Sequence, residues 1–155
     1  RSSAASDVYK RQARLPLAAG LSMLAAALHG GVTGAHFTEW FGYGLFFLVT
    51  TAAQFVWGGF LLLRFFETRA AQSDPFPRVG SSSLEVPYYW AGIAGNLLIA
   101  SLYVVTRTVG VPWFGPEAGE IEAWDAFGIV TTTLEGVLVA LLVVIIRARH
   151  AVSAL

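Results

Sequence analysis

Two histidines and a glutamate lie close together early in the chain, within the segment HGGVTGAHFTE. We expect His29 to end one helix, the glycine-rich GGVTG to form a tight turn, and His36 and Glu39 to open the next helix. His36 and Glu39 are three residues apart and so share a helix face. The short turn would bring His29 back beside them. Two imidazoles and a carboxylate could bind Zn²⁺ or another divalent metal and leave a coordination position open. The alternatives are a proton-linked role, or interfacial histidines beside a Glu39 that complements the helix dipole.

A second group of polar residues, Gln54, Asn96 and Glu135, falls inside long apolar segments. Counted from Trp124 at about 1.5 Å per residue, Glu135 lies roughly 16 Å along its helix, near the middle of a bilayer. A charged carboxylate at that depth costs roughly 2.5–3.5 kcal/mol, so we expect it to face the bundle interior, toward Gln54 or Asn96. The cluster either holds helices together by hydrogen bonds or is a proton or ion site.

Arg107 lies in TRTVG, at the predicted end of a helix, where a cation complements the helix dipole. We expect it to pair with Glu39 or with a carboxylate of the following loop, for which Glu117 is the candidate. The pair would be either a tether that closes the loop over the bundle, or an anion clamp or gate. Asp125 is predicted to be either the cap or a first-turn acid of the next helix. The loop, residues 111–125, carries four acidic residues: Glu117, Glu120, Glu122 and Asp125.

The composition indicates a membrane protein. Of 155 residues, 55% are hydrophobic and 13% are charged, whereas about a quarter of a soluble domain is charged. The polar surface that a soluble globule needs is missing, so the surrounding solvent is predicted to be lipid. The formal net charge of zero argues against a nucleic-acid partner. The absence of cysteine excludes disulfides, thiolate metal sites and thiol nucleophiles.

Four continuous apolar stretches predict the helices that position these residues. A bilayer core needs roughly 20 apolar residues per helix, and aromatic residues such as Trp40 and Trp124 lie near the ends of the stretches, as in an interfacial belt. The runs are too long for barrel strands. We therefore predict an all-α, membrane-embedded four-helix bundle in a single domain, residues 13–155. The predicted spans are residues 15–31, 40–66, 88–109 and 124–146.

Arginines predict the orientation of the bundle. Only Arg107 lies on the side of the 111–125 loop, and the positive-inside rule assigns the arginine-rich side to the cytoplasm. Both termini are then cytoplasmic, and the acidic loop is external. Small residues four apart, which let membrane helices approach closely, occur at Ala27 with Gly31, Ala91 with Gly95, and Gly136 with Ala140. The arginines of the opposite side are Arg14, Arg64, Arg69, Arg78, Arg147 and Arg149.

The first residues have a different origin from the rest. Residues 2–12, SSAASDVYKRQ, are the complete in-frame translation of a widely used transposase-type sequencing adapter. We therefore expect residues 1–12 to be an adapter-derived tail that is not native, and we exclude their basic residues from the prediction of topology.

The segments LHGGVTGAHFTEWFGYGLFF and GNLLIASLYVVTRTVGVPWFGPEAGEIEAWDAF resemble a group of small prokaryotic four-helix integral membrane proteins with no established activity. Those proteins share a histidine-rich first turn, an EW helix start, and a TRT-x-G-x-P-x-GP-like segment before an acidic stretch. The resemblance covers most of the chain after Gln12 and implies a multi-pass location in the prokaryotic cytoplasmic membrane. The matching positions are His29, His36, Glu39, Trp40, Gln54, Asn96, Arg107, Gly115, Pro116, Glu117 and Glu135.

Three functions fit these features. The first is a non-enzymatic membrane protein with a polar or metal site on its extracytoplasmic face. The second is a proton- or ion-coupled small transporter subunit that uses Glu135 and needs a homo-oligomer or a membrane partner subunit, because four helices offer little room for a pathway. The third is a membrane metalloenzyme or redox protein built on His29, His36 and Glu39. No P-loop or nucleophile elbow is present, so an enzyme is the less favoured interpretation.

Overall fold

The computed structural model describes the backbone of residues 2–73 and 85–153, and the side chains of residues 13–70 and 85–149. Within these ranges the regular structure is helical and contains no strand, as the sequence predicts. The adapter-derived tail predicted at residues 1–12 and the predicted cytoplasmic Arg78 lie outside the described side chains. The four helices are α1, Ser2–Glu39; α2, Phe41–Ser73; α3, Glu85–Thr108; and α4, Ala126–Ser153.

Each helix contains a segment long and apolar enough to cross a membrane. These segments have between 24 and 30 residues, which corresponds to about 36–45 Å at 1.5 Å per residue and exceeds the ~30 Å of a bilayer core. Their outer faces expose apolar side chains such as Val49, Phe55 and Leu98. A helix that is apolar on all sides is typical of a membrane span, so the fold suggests a multi-pass membrane protein. The segments are Ala13–Glu39, Phe41–Ala70, Glu85–Thr108 and Ala126–Arg149.

The turn predicted at GGVTG is wrong, because α1 continues through it to Glu39. The chain reverses at a single residue instead: the Trp40 N–H donates to the His36 carbonyl at 3.0 Å, and the Gly44 N–H donates to the Trp40 carbonyl at 3.2 Å. A continuous helix satisfies its backbone groups internally, as the predicted lipid surroundings require. The helix continues here despite a cost of about 1 kcal/mol for each helical glycine. Glu39 therefore lies at a helix C-terminus, where the dipole opposes a carboxylate.

Consecutive helices pack side by side in opposite directions. Between α1 and α2, the Ser22 hydroxyl donates to the Gln54 carbonyl at 2.7 Å. Between α2 and α3, the Trp57 indole donates to the Tyr88 carbonyl at 3.3 Å, and the Tyr88 hydroxyl donates to the Trp57 carbonyl at 2.8 Å. Between α3 and α4, the Tyr103 hydroxyl donates to the Asp125 carbonyl at 3.1 Å. These contacts order the four helices into an up-and-down bundle.

Close approach of the helices depends on other glycines than those predicted. Gly31, Gly95 and Gly136 have no atom within 4 Å of an added Cβ, apart from their own helix turns, so they lie on open faces. At Gly58, by contrast, a Cβ would lie 3.0 Å from Met23 Cγ, and at Gly92 it would overlap the Trp57 ring. Spacing by four residues therefore identified small-residue faces without showing which of them are packed.

The two ends of the bundle differ. The loop end contains Trp40 and residues 109–125, and the Trp40 and Phe114 rings meet there at 5.0 Å. The opposite end, the arginine end, is closed by the Glu85 carboxylate, which pairs with both Arg64 and Arg149 and so joins α2, α3 and α4. An apolar core fills the half of the bundle nearer the arginine end: Ala18, Ala19, Leu61, Tyr89, Ile93, Leu138, Leu142, Ile145 and Ile146.

Candidate functional site

A cavity of about 490 Å³ occupies the half of the bundle nearer the loop end, between all four helices and the loop. Such a volume lies in the usual range for small-molecule sites, about 300–1,000 Å³. Its walls are mainly aromatic and aliphatic, and acidic side chains line its mouth. The floor contains His29 from α1 and Glu135 from α4, with Thr131 and Thr132 beside them. Sequence reasoning did not predict a cavity, because its shape depends on how the helices splay.

The floor of the cavity is a contact between two buried titratable side chains. His29 Nε2 lies 2.9 Å from Glu135 Oε1, and the two residues are 6% and 1% exposed. His29 precedes the end of α1 by ten residues, and Glu135 follows the start of α4 by nine. At about 1.5 Å per residue, both lie roughly 14–15 Å from the loop end. The prediction that Glu135 faces the bundle interior is confirmed, but its partnership with His29 was missed.

The missed partnership follows from the wrong turn. With His29 at the end of a helix, it would lie at a membrane surface, far from a mid-helix carboxylate. With α1 continuous to Glu39, His29 and Glu135 lie at equal depth on antiparallel helices. The signal that could have found the pair is the equal distance of both residues from the same end of the bundle, once the helix is allowed to run through its glycines.

Glu135 also contacts Gln54 of the predicted intramembrane polar cluster, and Gln54 links it to Asn96. Gln54 Nε2 donates to Glu135 Oε1 at 2.9 Å and to Asn96 Oδ1 at 3.2 Å. Asn96 Nδ2 in turn donates to the Gly92 carbonyl at 2.8 Å. Gln54, Asn96 and Glu135 are therefore brought together from α2, α3 and α4. His29 extends the network to α1, so that all four helices contribute. Hydrogen bonding of this kind is what buried polar groups require.

The network leaves acceptor capacity at the cavity floor. In the part of the chain that the structure describes, buried His29 Nδ1 and Gln54 Oε1 have no hydrogen-bond partner. Both hydrogen bonds of the Glu135 carboxyl involve Oε1. The His29–Glu135 contact needs one hydrogen, which either the imidazole or the carboxyl can supply. The same 2.9 Å contact is therefore compatible with the hydrogen on either partner.

The three residues of the predicted metal site do not converge. His36 Nδ1 lies 2.6 Å from Glu39 Oε2, and the His36 ring stacks on Phe47 at 4.1 Å. His29 precedes His36 by seven residues of continuous helix, which is about 10 Å along the axis, and it contacts Glu135 instead. Among the described residues, no group of three His, Asp or Glu side chains is arranged to hold a metal ion. The expected divalent-metal site of His29, His36 and Glu39 is therefore not formed.

Arg107 pairs with different carboxylates from the predicted Glu117 or Glu39. Its guanidinium lies 2.9 Å from Glu122 Oε2 and 3.1 Å from Asp125 Oδ2, and it stacks over the Tyr103 ring at 4.1 Å. The loop folds back on α3, where the Glu122 N–H donates to the Thr106 carbonyl at 3.0 Å. That fold places Glu122 and Asp125, not Glu117, beside Arg107. The predicted tether is therefore present with other partners.

Asp125 caps α4 as predicted, since the Gly128 N–H donates to its Oδ1 at 2.7 Å. This hydrogen bond, together with the Arg107 guanidinium, holds the pKa of Asp125 below its ordinary value. From α2, the Tyr43 hydroxyl donates to the Phe114 carbonyl of the loop at 3.2 Å. Gly115 beside it has φ of 86°, a left-handed conformation that favours glycine. The loop is thus attached to both α2 and α4.

Fold and site together define a class: an all-α four-helix protein with four candidate membrane spans and a buried histidine–glutamate pair at the floor of a cavity. Comparison with protein-family models, curated proteins and solved structures gave no significant match to this chain. The resemblance to small prokaryotic membrane proteins therefore stays a prediction, and the functional proposals depend on the geometry of the site.

Proposed function

We propose that the chain is a multi-pass integral membrane protein of a prokaryotic cytoplasmic membrane, with its arginine end in the cytoplasm. Five arginines of the described residues support this orientation, against Arg107 at the loop end. The positive-inside rule assigns such a side to the cytoplasm. The cavity is then open toward the extracytoplasmic side. The five arginines are Arg14, Arg64, Arg69, Arg147 and Arg149.

Labelling of introduced cysteines tests this orientation, and the cysteine-free chain makes the readout clean. Glu120→Cys, in the exposed loop, is expected to react with an impermeant maleimide added outside intact cells. Ser82→Cys, which lies between α2 and α3 in sequence and outside the described residues, is expected to react only after permeabilisation. The reverse pattern would invert the orientation. Reaction of both variants in intact cells would contradict the four-span arrangement.

We propose further that the cavity binds a small ligand from the extracytoplasmic side, and that a proton on the His29–Glu135 pair is linked to binding. The observation that carries this proposal is the 2.9 Å contact between His29 Nε2 and Glu135 Oε1 at the cavity floor. A ligand at the floor lies beside the pair and favours one position of its proton over another. Intramembrane carboxyl groups are functional sites by default, because their desolvation is costly.

A second candidate is a proton-coupled carrier, and one feature favours it. The polar network continues from Glu135 through Gln54 to Asn96, toward the arginine end. There, the apolar core and the Glu85 ion pairs close the bundle. A cavity open on one side and closed on the other, with its site at mid-depth, is the arrangement that alternating access requires. The carrier needs a second conformation, and four helices favour an oligomer for it.

Infrared spectroscopy of the purified protein tests the proton-linked site without any ligand. A buried carboxyl that gains a proton gives a carbonyl stretching band distinct from that of exposed acids. We expect this band in pH-difference spectra of the wild type and its loss in Glu135→Gln, which keeps the shape and removes the titrating group. Glu67→Gln, an exposed change at the arginine end, is the control and should keep the band. Identical spectra for wild type and Glu135→Gln would refute the proposal.

A further inference from the structure

We infer that the ligand of the cavity is a hydrophobic ammonium ion, meaning a protonated amine with an aromatic or aliphatic body. This inference rests on the proposed function and names the ligand class of the same site. Three properties of the cavity support it: the charge of its mouth, the chemistry of its walls, and the acceptors at its floor.

The mouth of the cavity is strongly acidic. Five carboxylates and one guanidinium, that of Arg107, line it among the described residues, which leaves a net charge of 1 − 5 = −4 when the histidines are counted as neutral. A concave site lined by one sign of charge raises the local concentration of the opposite ion. The mouth therefore attracts cations. The five carboxylates belong to Glu39, Glu117, Glu120, Glu122 and Asp125.

Among the described residues, the Arg107 guanidinium is the permanent positive charge that the cavity lining offers an anionic ligand. Arg107 already pairs with Glu122 and Asp125, and its guanidinium covers the Tyr103 ring. Its side chain is 15% exposed. An anion would have to displace two carboxylates from Arg107 while it approached the other acids of the mouth. A cationic ligand meets little repulsion from Arg107, because Glu122 and Asp125 already offset its charge.

The walls suit an apolar body that carries a positive charge. Phe46 and Phe47 of α2 line the cavity together with Ile99 and Leu102 of α3. Aromatic faces attract ammonium ions within about 6 Å by cation–π interaction. The aliphatic side chains favour a hydrocarbon body over a bare metal ion, which would keep its water shell. The walls therefore select an organic cation.

The floor supplies acceptors for the N–H groups of an ammonium ion. When His29 donates from Nε2 to Glu135, its Nδ1 carries a lone pair, and this atom has no partner among the described residues. An ionised Glu135 supplies a negative charge at this point, and its Oε2 takes no part in the two hydrogen bonds at Oε1. An ammonium ion offers several donors and the matching charge. A neutral alcohol offers one donor and no charge.

Calorimetric titration of the whole chain in detergent micelles, with protein-free micelles as the blank, tests the inference. The probes are phenethylammonium, its neutral counterpart 2-phenylethanol and its anionic counterpart phenylacetate. We expect phenethylammonium to bind at least about tenfold more tightly than the other two, since it makes charge-assisted hydrogen bonds. Equal binding of the alcohol and the ammonium ion, or tighter binding of phenylacetate, would overturn the inference.

Variants separate the floor from the mouth. Glu135→Gln is expected to weaken phenethylammonium by about tenfold or more and to leave 2-phenylethanol unchanged, because the amide keeps the shape of the side chain and removes its charge and one acceptor oxygen. The control Glu67→Gln should change neither affinity. If Glu135→Gln does not fold, the three probes on the wild type still decide. If the wild type shows the infrared band but binds the three probes equally, the ligand class alone is rejected. If the wild type lacks the band, the proposed function itself is rejected.

Discussion

Glu135→Leu is expected to destabilise the bundle by roughly 2–4 kcal/mol. Leucine has a similar volume but accepts no hydrogen bond, so Gln54 Nε2 keeps only its longer contact with Asn96 at 3.2 Å. His29 Nε2 would lose its partner altogether. Both groups are buried, and a buried polar group without a partner costs more than an average hydrogen bond contributes. Unfolding of the purified protein in mixed micelles measures the change.

Two further variants interpret that result. Glu135→Gln keeps a hydrogen-bonding side chain and is expected to stay within about 1 kcal/mol of the wild type. Thr133→Leu, an exposed change two residues away on α4, should stay within about 0.5 kcal/mol. If Glu135→Leu were as stable as Thr133→Leu, the network would contribute nothing to the bundle. If Glu135→Gln keeps its stability but loses the infrared band, Glu135 binds a proton in addition to holding the helices together by hydrogen bonds.

Gly92→Ala is expected to destabilise the protein by about 1–3 kcal/mol, the usual cost of overpacking a close contact. A Cβ at this position would overlap the Trp57 ring. The ring has little freedom to move, because it stacks on Tyr88 at 5.4 Å and its indole N–H donates to the Tyr88 carbonyl. Thermal unfolding in detergent provides the measurement.

Gly95→Ala is the matched control for that prediction. Gly95 lies three residues further along α3 and has open space around an added Cβ. Alanine is the better helix former by about 1 kcal/mol, so this variant should be neutral or slightly stabilised. Equal effects of the two substitutions would mean that α2 and α3 do not approach each other at Gly92.

The sequence by itself determined the helices and the direction in which Glu135 faces. Continuous apolar runs longer than a barrel strand leave helices as the structure that satisfies every backbone group. The four predicted spans correspond to four helices, although the observed segments begin or end several residues away, as at Glu39 instead of residue 31. The cost of exposing a carboxylate to an apolar solvent is a property of the residue alone. That cost is sufficient to predict that Glu135 faces the interior, toward Gln54 or Asn96, and Gln54 is the residue it contacts.

Only the tertiary structure decided the partners at both ends of the cavity. The glycines of α1 do not decide by themselves whether the helix turns or continues, since glycine permits both conformations. That choice moved His29 from a predicted metal site to Glu135. The partners of Arg107 depend in the same way on the path of the loop, which passes through glycines with positive φ such as Gly110 and Gly115. Local sequence defines which groups need partners, and long-range packing selects among those within reach.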